Sequence, residues 1–171
     1  MQKVKAILQC IDGISEWTGK IVAWFVLFMT LEMAYEVIAR YFFNAPTKWA
    51  FDVSYMLGGT FFLLGACYTL RHGEHVRIDI FYSRFSPRTK GIVDVILTLL
   101  IFFPAWGILL WKLIPYVYHS WMIQEKALES FWRPPIYPFK TVMPIGVFLL
   151  LLQGTAEFIR SLFLAVRGKP L

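Results

Sequence analysis

The sequence predicts an all-α integral membrane protein with four transmembrane helices, preceded by a short amphipathic N-terminal helix. Of its 171 residues, 58% are hydrophobic and only 16% are charged, whereas a soluble domain carries about 25% charged residues. Four apolar runs, each near the roughly 20 residues that a helix needs to cross a bilayer, cover residues 21–38, 51–70, 91–111 and 141–159. We expect one membrane domain over residues 1–171, with spans near residues 18–43, 49–70, 87–121 and 140–165.

The first 17 residues have an amphipathic pattern. Apolar side chains recur at helical spacing, with polar ones between them, at Val4, Ile7, Leu8, Ile11 and Ile14. This pattern is typical of a short helix that lies on the inner membrane surface. It fits equally well an extension of the first span into the cytoplasm, and the sequence leaves both interpretations open.

The first predicted span contains Glu32, Glu36 and Arg40, each one helical turn from the next. Ionisable residues at membrane depth are candidates for function, so one interpretation is an ion or proton pathway. We favour a structural interpretation, in which Glu36 pairs with Arg40 at i and i+4 and Glu32 meets a basic residue of a neighbouring helix or subunit. No further deep carboxylate and no unwound Asn- or Thr-rich segment completes a cation site.

The second span follows a very short external turn, because Pro46 disfavours helical geometry in the residue before it. The first two spans are therefore antiparallel neighbours. Trp49 stands where the chain re-enters the interface, a common position for tryptophan, and Asp52 interrupts the apolar run near its start. Gly58 and Gly65 lie on one face of the helix, and small residues there let helix backbones approach closely. We expect a packing seam along this face.

The third span begins with a strong helix-start signal, since Ser86 suits the N-cap and Pro87 the first turn. The helical pattern continues to about Trp121, a length of roughly 50 Å. This exceeds the hydrocarbon core of about 30 Å, so we expect the helix to tilt or to project beyond the membrane. Pro104 and Pro115 are expected to bend it.

The connection between the third and fourth spans is rich in aromatic residues and proline. It contains Trp121, Phe131, Trp132, Tyr137 and Phe139, with prolines at 134, 135 and 138. One interpretation is an aromatic belt in the outer membrane interface. The other is a docking surface for an external protein, and Trp121 and Trp132 are the candidate contact residues.

The positive charge of the chain follows its predicted topology. Eleven of the 17 Lys and Arg residues fall at the two termini and in the connection between spans two and three. The positive-inside rule therefore places both termini in the cytoplasm, as expected for a multi-pass membrane protein with this charge distribution. Topology thus accounts for the net charge of +6, and we expect contacts with membrane lipids and none with nucleic acid.

The sequence gives little sign of catalysis or of a bound cofactor. His72 and His75 flank Glu74 just after the second span, but Gly73 interrupts the pair and a catalytic zinc needs about three protein ligands. No histidine lies at membrane depth, where a haem would need its axial ligands. Cys10 and Cys67 lie on the predicted cytoplasmic side and form no CxxC pair. We expect neither an enzyme nor a metal site.

The order of these landmarks resembles a known family. The stretch R-Y-x-F-N-x-P-x-x-W occupies residues 40–49, and G-x-H-V-x-I-D occupies residues 73–79, including Gly73, His75 and Asp79. Within a four-span chain, this order resembles the small membrane subunit of tripartite ATP-independent periplasmic (TRAP) transporters, the DctQ-like family. Asp52 departs from the glutamate expected in many members.

The resemblance implies a scaffold subunit of a secondary transporter. Such a subunit supports a larger membrane subunit that moves an organic acid anion by a sodium-coupled elevator motion, after a periplasmic substrate-binding protein delivers it. It also implies that residues 71–91 form a structured cytoplasmic connection. Two rivals remain: a membrane anchor subunit of a redox complex, which bound haem or quinone would indicate, and a small self-assembling exporter, which transport by this chain alone would indicate.

Overall fold

Four long helices make up the computed structural model, which describes residues 2–73, 85–128 and 130–168. They are α1 (Gln2–Phe42), α2 (Ala50–Arg71), α3 (Pro87–Met122) and α4 (Tyr137–Arg167). Each is long and apolar enough to cross a membrane. The described residues contain no β-strand, only an isolated antiparallel bridge between Lys126 and Pro135. The predicted all-α class with four spans is confirmed.

The N-terminal amphipathic segment is continuous with the first span. α1 runs for 41 residues without a break, a length of about 60 Å. The predicted separate surface helix is therefore not confirmed. The structure shows the other interpretation, in which this segment extends the first span. Leu8 and Ser15 in this extension are buried, because its inner face packs against α4. Burial against a neighbouring helix is what keeps the amphipathic segment in line with the span.

Local sequence signals set several of the helix ends. α1 ends at Phe42, Asn44 just beyond it has φ +50°, and the N–H of Ala45 returns to the carbonyl of Ala39 at 3.0 Å. At the start of α3, Ser86 Oγ accepts the N–H of Thr89 at 3.3 Å, with proline in the first turn. This is the predicted cap.

α3 contains a π-helical turn next to Pro104, and the bend expected in this helix stays a prediction. Residues Thr98–Phe102 form this turn, between α-helical segments Pro87–Leu97 and Phe103–Met122. Pro104 has no N–H to donate to the preceding turn, and a single wide turn accommodates that loss. Pro115 lies inside the second segment, which remains helical around it.

The helices pack in the order α1, α2, α4, α3, with α1 also touching α4. We call this arrangement the helix row. α4 lies inside the row, and 33% of its most apolar stretch is buried, whereas none of the corresponding stretch of α3 is. The row has two ends. The termini side holds the start of α1 and the end of α4, and the hairpin side holds the connections at residues 43–49 and 123–136.

Neighbouring helices are held in a defined register that staggers their apolar runs. Three contacts fix this register: Gly65 with Val22, Gly146 with Leu63, and Gly154 with Phe102. When the helices are aligned by these contacts, the midpoint of the apolar run moves steadily toward the termini side from α1 to α3. The total displacement is roughly 20 Å at 1.5 Å per residue.

Candidate functional site

On the hairpin side, Glu36 holds the end of α1 against the following turn. Arg40 donates to Glu36 Oε1 from Nε at 3.0 Å and from Nη2 at 2.5 Å. The second oxygen accepts the backbone N–H of Thr47 at 3.0 Å and also the Thr47 hydroxyl. The predicted Glu36–Arg40 pair is therefore present, and Thr47 completes it. Every polar atom of this buried carboxylate has a partner, so the arrangement serves as a clamp.

Glu32 is partnered only on one oxygen. Ser54 of α2 donates its hydroxyl to Glu32 Oε2 at 2.7 Å. The other oxygen, Oε1, is buried and accepts no hydrogen bond from the described residues. The expected basic partner on a neighbouring helix is not found in the described part of this chain, and a basic partner on another subunit stays a prediction.

The start of α2 contacts both neighbouring connections. Trp49 precedes the first helical residue and stacks on Tyr35 of α1, with ring centroids 6.1 Å apart. Asp52 accepts a hydrogen bond from the hydroxyl of Ser130, which lies in the connection between α3 and α4. A carboxylate in the first turn is favoured by the helix dipole. Asp52 thus links α2 to a segment that is distant in sequence.

The connection between α3 and α4 is a hairpin whose two arms are hydrogen-bonded to each other. We call it the α3–α4 hairpin, and the structure describes its residues 123–128 and 130–136. Its two arms are joined by N–H donation from Ala127 to the carbonyl of Pro134 and from Ile136 to that of Glu125, both at 3.0 Å. Trp132 lies near the tip of the hairpin and is half exposed. Its backbone N–H donates to Ser130 Oγ at 3.0 Å.

The base of the hairpin is fixed by an ion pair and an aromatic contact. Glu125 accepts from Lys140 Nζ at 2.5 Å and from Ser120 Oγ at 2.6 Å. These two hydrogen bonds hold the pKa of Glu125 below that of an ordinary glutamate, and the bond from Lys140 has the larger effect. Trp121 donates from its indole N–H to Thr141 Oγ1 at 2.8 Å. The hairpin therefore leaves α3 and enters α4 in a fixed direction.

The glycine face of α2 packs within this chain. A Cβ atom at Gly58 would lie 3.9 Å from Met29, and one at Gly65 would lie 3.8 Å from Val22, both on α1. These are ordinary contact distances. Much closer approaches occur at glycines for which no contact was predicted. A Cβ at Gly91 of α3 would lie 2.6 Å from a backbone nitrogen of α4, and one at Gly19 of α1 would overlap the Tyr68 ring of α2. The tightest glycine contacts therefore lie outside the predicted seam.

On the termini side, α4 is bound to α1 through a buried amide. Gln153 has no exposed surface. Its Oε1 accepts from Ser15 Oγ at 2.7 Å, and its Nε2 donates to Asp12 and to Glu157, each at 3.2 Å. A buried amide is costly unless it is hydrogen-bonded, and here both of its polar atoms are used. Gln153 therefore fixes the rotation of α4 against α1.

Two arginines surround this amide. Arg160 of α4 donates to Asp12 and to Glu157. Arg71, the last residue of α2, donates to Glu16 of α1, and its Nε lies 4.0 Å from Asp12. We call this set the termini-side cluster: Asp12, Ser15, Glu16, Arg71, Gln153, Glu157 and Arg160.

Sequence reasoning missed most of the termini-side cluster. Asp12 and Gln153 are 141 residues apart, so no local spacing relates them. The available signal was Gln153 itself, an amide within an apolar run, because such a residue needs a partner on another helix. A second signal was Arg71, a charged residue at the end of an apolar span.

The histidine-containing stretch lies largely outside the described residues. Gly73 has φ +68° just beyond α2, a conformation that glycine adopts without strain, and His72 Nδ1 lies 3.0 Å from the carbonyl of Tyr68. His75 and Asp79 are not among the described residues, so their predicted structural roles stay predictions. Within the described ranges, no three His, Cys, Asp or Glu side chains are placed to hold a metal ion.

The described polar groups tie structural elements together. In the termini-side cluster they join three helices, and on the hairpin side they join helix ends to the adjoining connections. Each carboxylate described above accepts a hydrogen bond from another side chain. The arrangement is that of a rigid membrane framework with large exposed apolar faces.

A comparison with protein families matches residues 29–164 to the family described as tripartite ATP-independent periplasmic transporters, DctQ component. No curated protein and no solved structure gives a significant match. The matched region covers most of the chain and includes the last third of α1 and nearly all of the other three helices. The chain therefore belongs to the DctQ family and is a small component of a tripartite ATP-independent periplasmic transporter.

Proposed function

We propose that this chain is the scaffold subunit of a sodium-coupled, binding-protein-dependent transporter that takes up an organic acid anion. It supports a larger elevator-type membrane subunit, which holds the substrate and sodium sites. A periplasmic substrate-binding protein delivers the anion. The family match over residues 29–164 supports the part of this proposal that concerns a small transporter subunit. Sodium coupling, the substrate class and the elevator motion go beyond that match.

The helix row supports a scaffold role. Helices packed side by side leave two broad faces and two edges for other molecules, and the edge helix α3 has no buried residue in its most apolar stretch. The described charges lie in clusters that bind the helices to one another. A row of this kind offers a stiff surface for a neighbouring subunit, and we place the substrate path in that neighbour.

We further propose that the chain lies in the bacterial inner membrane with both termini in the cytoplasm. The distribution of Lys and Arg supports this orientation, because an excess of these residues marks cytoplasmic segments. Labelling of single cysteines with an impermeant reagent in spheroplasts tests it, after Cys10 and Cys67 are replaced. Labelling at residue 124 but not at residue 80 is expected, and the reverse contradicts the orientation.

Reconstitution tests the function directly. Liposomes receive this chain alone, the large subunit alone, or both, together with the binding protein, its substrate and an inward sodium gradient. We expect uptake only when both membrane subunits are present. Uptake by this chain alone would identify an exporter-like carrier, and full uptake by the large subunit alone would show that the scaffold is dispensable. Haem or quinone bound to the purified chain would instead favour the redox-anchor hypothesis.

A further inference from the structure

The tip of the α3–α4 hairpin presents two large apolar side chains outside any protein core. Leu128 is 87% exposed and Phe131 is 92% exposed. The tip is held in place from α2, because Ser130 donates to Asp52 and Lys48 Nζ lies 5.9 Å from the Phe131 ring centroid. A rigid segment that keeps apolar side chains in the open indicates a binding surface.

The apolar tip is continuous with the membrane-facing surface of the helices. Phe42, Phe43 and Phe51 lie at the adjoining ends of α1 and α2, and each is at least 75% exposed. The contact of Ser130 with Asp52, in the first turn of α2, places the tip beside these rings. Aromatic side chains at the ends of membrane-spanning helices are typical of the lipid–water interface.

Three cations lie at the base and flanks of the tip: Lys48, Lys126 and Arg133. The described acidic side chains beside it are engaged, Asp52 with Ser130 and Glu125 with Lys140, and Glu129 within the tip lies outside the described residues. Apolar side chains flanked by cations match the boundary between acyl chains and phosphate groups in an anionic membrane.

The size of the tip also favours lipid over a docked protein. The two tip side chains offer roughly 400 Å² at most, and the rings beside them lie at the ends of membrane-spanning helices. The tip by itself therefore falls well below the roughly 800 Å² that each partner contributes to a standard protein interface. We therefore propose that the α3–α4 hairpin is a lipid-binding anchor. Leu128 and Phe131 insert into the membrane interface on the hairpin side, and the three cations contact phosphates of anionic lipid. This inference does not depend on which face of the membrane that side occupies.

Spin-label accessibility tests the insertion. Nitroxides are placed at Leu128→Cys or Phe131→Cys in the full chain, with Cys10 and Cys67 replaced, in nanodiscs of phosphatidylcholine and phosphatidylglycerol. Leu100→Cys on the exposed face of α3 gives the lipid reference, and Lys3→Cys gives the water reference. We expect both tip labels to collide with oxygen more than with a water-soluble nickel chelate, as the Leu100 label does. Tip labels that match the Lys3 label, or that become shielded only when the binding protein is added, overturn the proposal.

A local quenching experiment tests the phosphate contacts. A fluorophore at Leu128→Cys is quenched by brominated phosphatidylglycerol or brominated phosphatidylcholine at equal mole fraction. We expect the anionic lipid to be enriched near the label by at least about fivefold, the effect of one basic residue near a charged lipid surface. The variant Lys48→Gln/Lys126→Gln/Arg133→Gln should lose this preference, while Lys3→Gln/Lys5→Gln keeps it. Equal quenching by both lipids in the parent chain overturns the phosphate contacts.

Discussion

The two ends of the helix row hold their helices together in different ways. On the hairpin side, most of the described polar contacts join residues at most 22 positions apart, such as Glu36 with Arg40 and Thr47, and the Asp52–Ser130 bond is the long-range exception. On the termini side, the contacts join residues that are much farther apart, such as Asp12 with Gln153. The hairpin side therefore mainly shapes turns and pairs of consecutive helices, whereas the termini side brings the first helix against the last and sets their rotation.

The difference has an energetic reason. A hydrogen bond in an apolar setting contributes modestly when made but is costly when broken, because the remaining group stays buried without a partner. Gln153 is fully buried, so loss of its partners cannot be offset by water. Groups such as Arg40 and Trp132, which are largely exposed, can exchange a lost partner for solvent. We expect substitutions on the termini side to cost more stability.

The largest effect is expected from Arg160→Met. This change leaves Asp12 and Glu157 without their shared cation, and we expect the free energy of unfolding in detergent to fall by about 3 kcal/mol, the cost of leaving a partly buried charge unpaired. Lys20→Met is the control, because Lys20 is exposed and lies 3.8 Å from Glu16; its loss should cost under about 0.5 kcal/mol. Equal losses for the two variants would remove the distinction between cluster and surface pairs.

A somewhat smaller effect is expected from Gly91→Ala. The added Cβ would lie 2.6 Å from the Ala165 nitrogen and 2.8 Å from the Ser161 carbonyl oxygen, so α3 and α4 must separate, at a cost of about 2 kcal/mol. Gly58→Ala is the matched control, since its Cβ would meet only Met29 at 3.9 Å. Thermal unfolding of both variants measures the difference. A stable Gly91→Ala variant would show that this contact is looser than described.

A third test is Gln153→Leu, which keeps the approximate volume and removes the amide. We expect a loss of about 1–2 kcal/mol, because Ser15 and the neighbouring carboxylates lose hydrogen bonds. Ser15→Ala should cost less, and the double variant should cost less than the sum of the single ones, since the pair shares one hydrogen bond. Additive losses in this cycle would contradict the direct Ser15–Gln153 contact.

The smallest effect is expected on the hairpin side, from Glu125→Gln. The pKa of Glu125 is lowered in the folded protein, so the carboxylate stabilises the fold above the ordinary glutamate pKa. That contribution is lost as the pH falls through the lowered value. The parent chain should therefore lose more thermal stability on acidification than the Gln variant does. Identical acid dependence of Tm in both chains would show that the Glu125–Lys140 pair contributes nothing measurable.

Features that depend on short spacing were predicted from the sequence. The apolar runs predicted four spans, the Ser86–Pro87 pair predicted the start of α3, and the i, i+4 spacing predicted the Glu36–Arg40 pair. Each depends on residues within about one helical turn or on the composition of a single segment. The R-Y-x-F-N-x-P-x-x-W and G-x-H-V-x-I-D stretches likewise pointed to the family that the comparison confirms.

Other features depend on pairs of residues that are distant along the chain. The helix order, the Asp12–Gln153–Arg160 contacts, the close approach at Gly91 and the Asp52–Ser130 link all follow from how side chains of different helices interdigitate. The N-terminal segment shows the same limit: its amphipathic pattern predicts an apolar partner but does not say whether that partner is lipid or α4. Only tertiary packing decides this.

The tilt of the four helices in the membrane shows most clearly which properties depend on sequence and which depend on tertiary structure. The sequence by itself places the midpoint of each apolar run, and nothing in it relates one midpoint to the next. Packing fixes the register, and with it a stagger of roughly 20 Å across the four helices. Bringing all four midpoints to the centre of one bilayer then requires the helices to tilt. Hydropathy sets the depth of each helix and side-chain packing sets their relative heights, so only the two together determine the tilt.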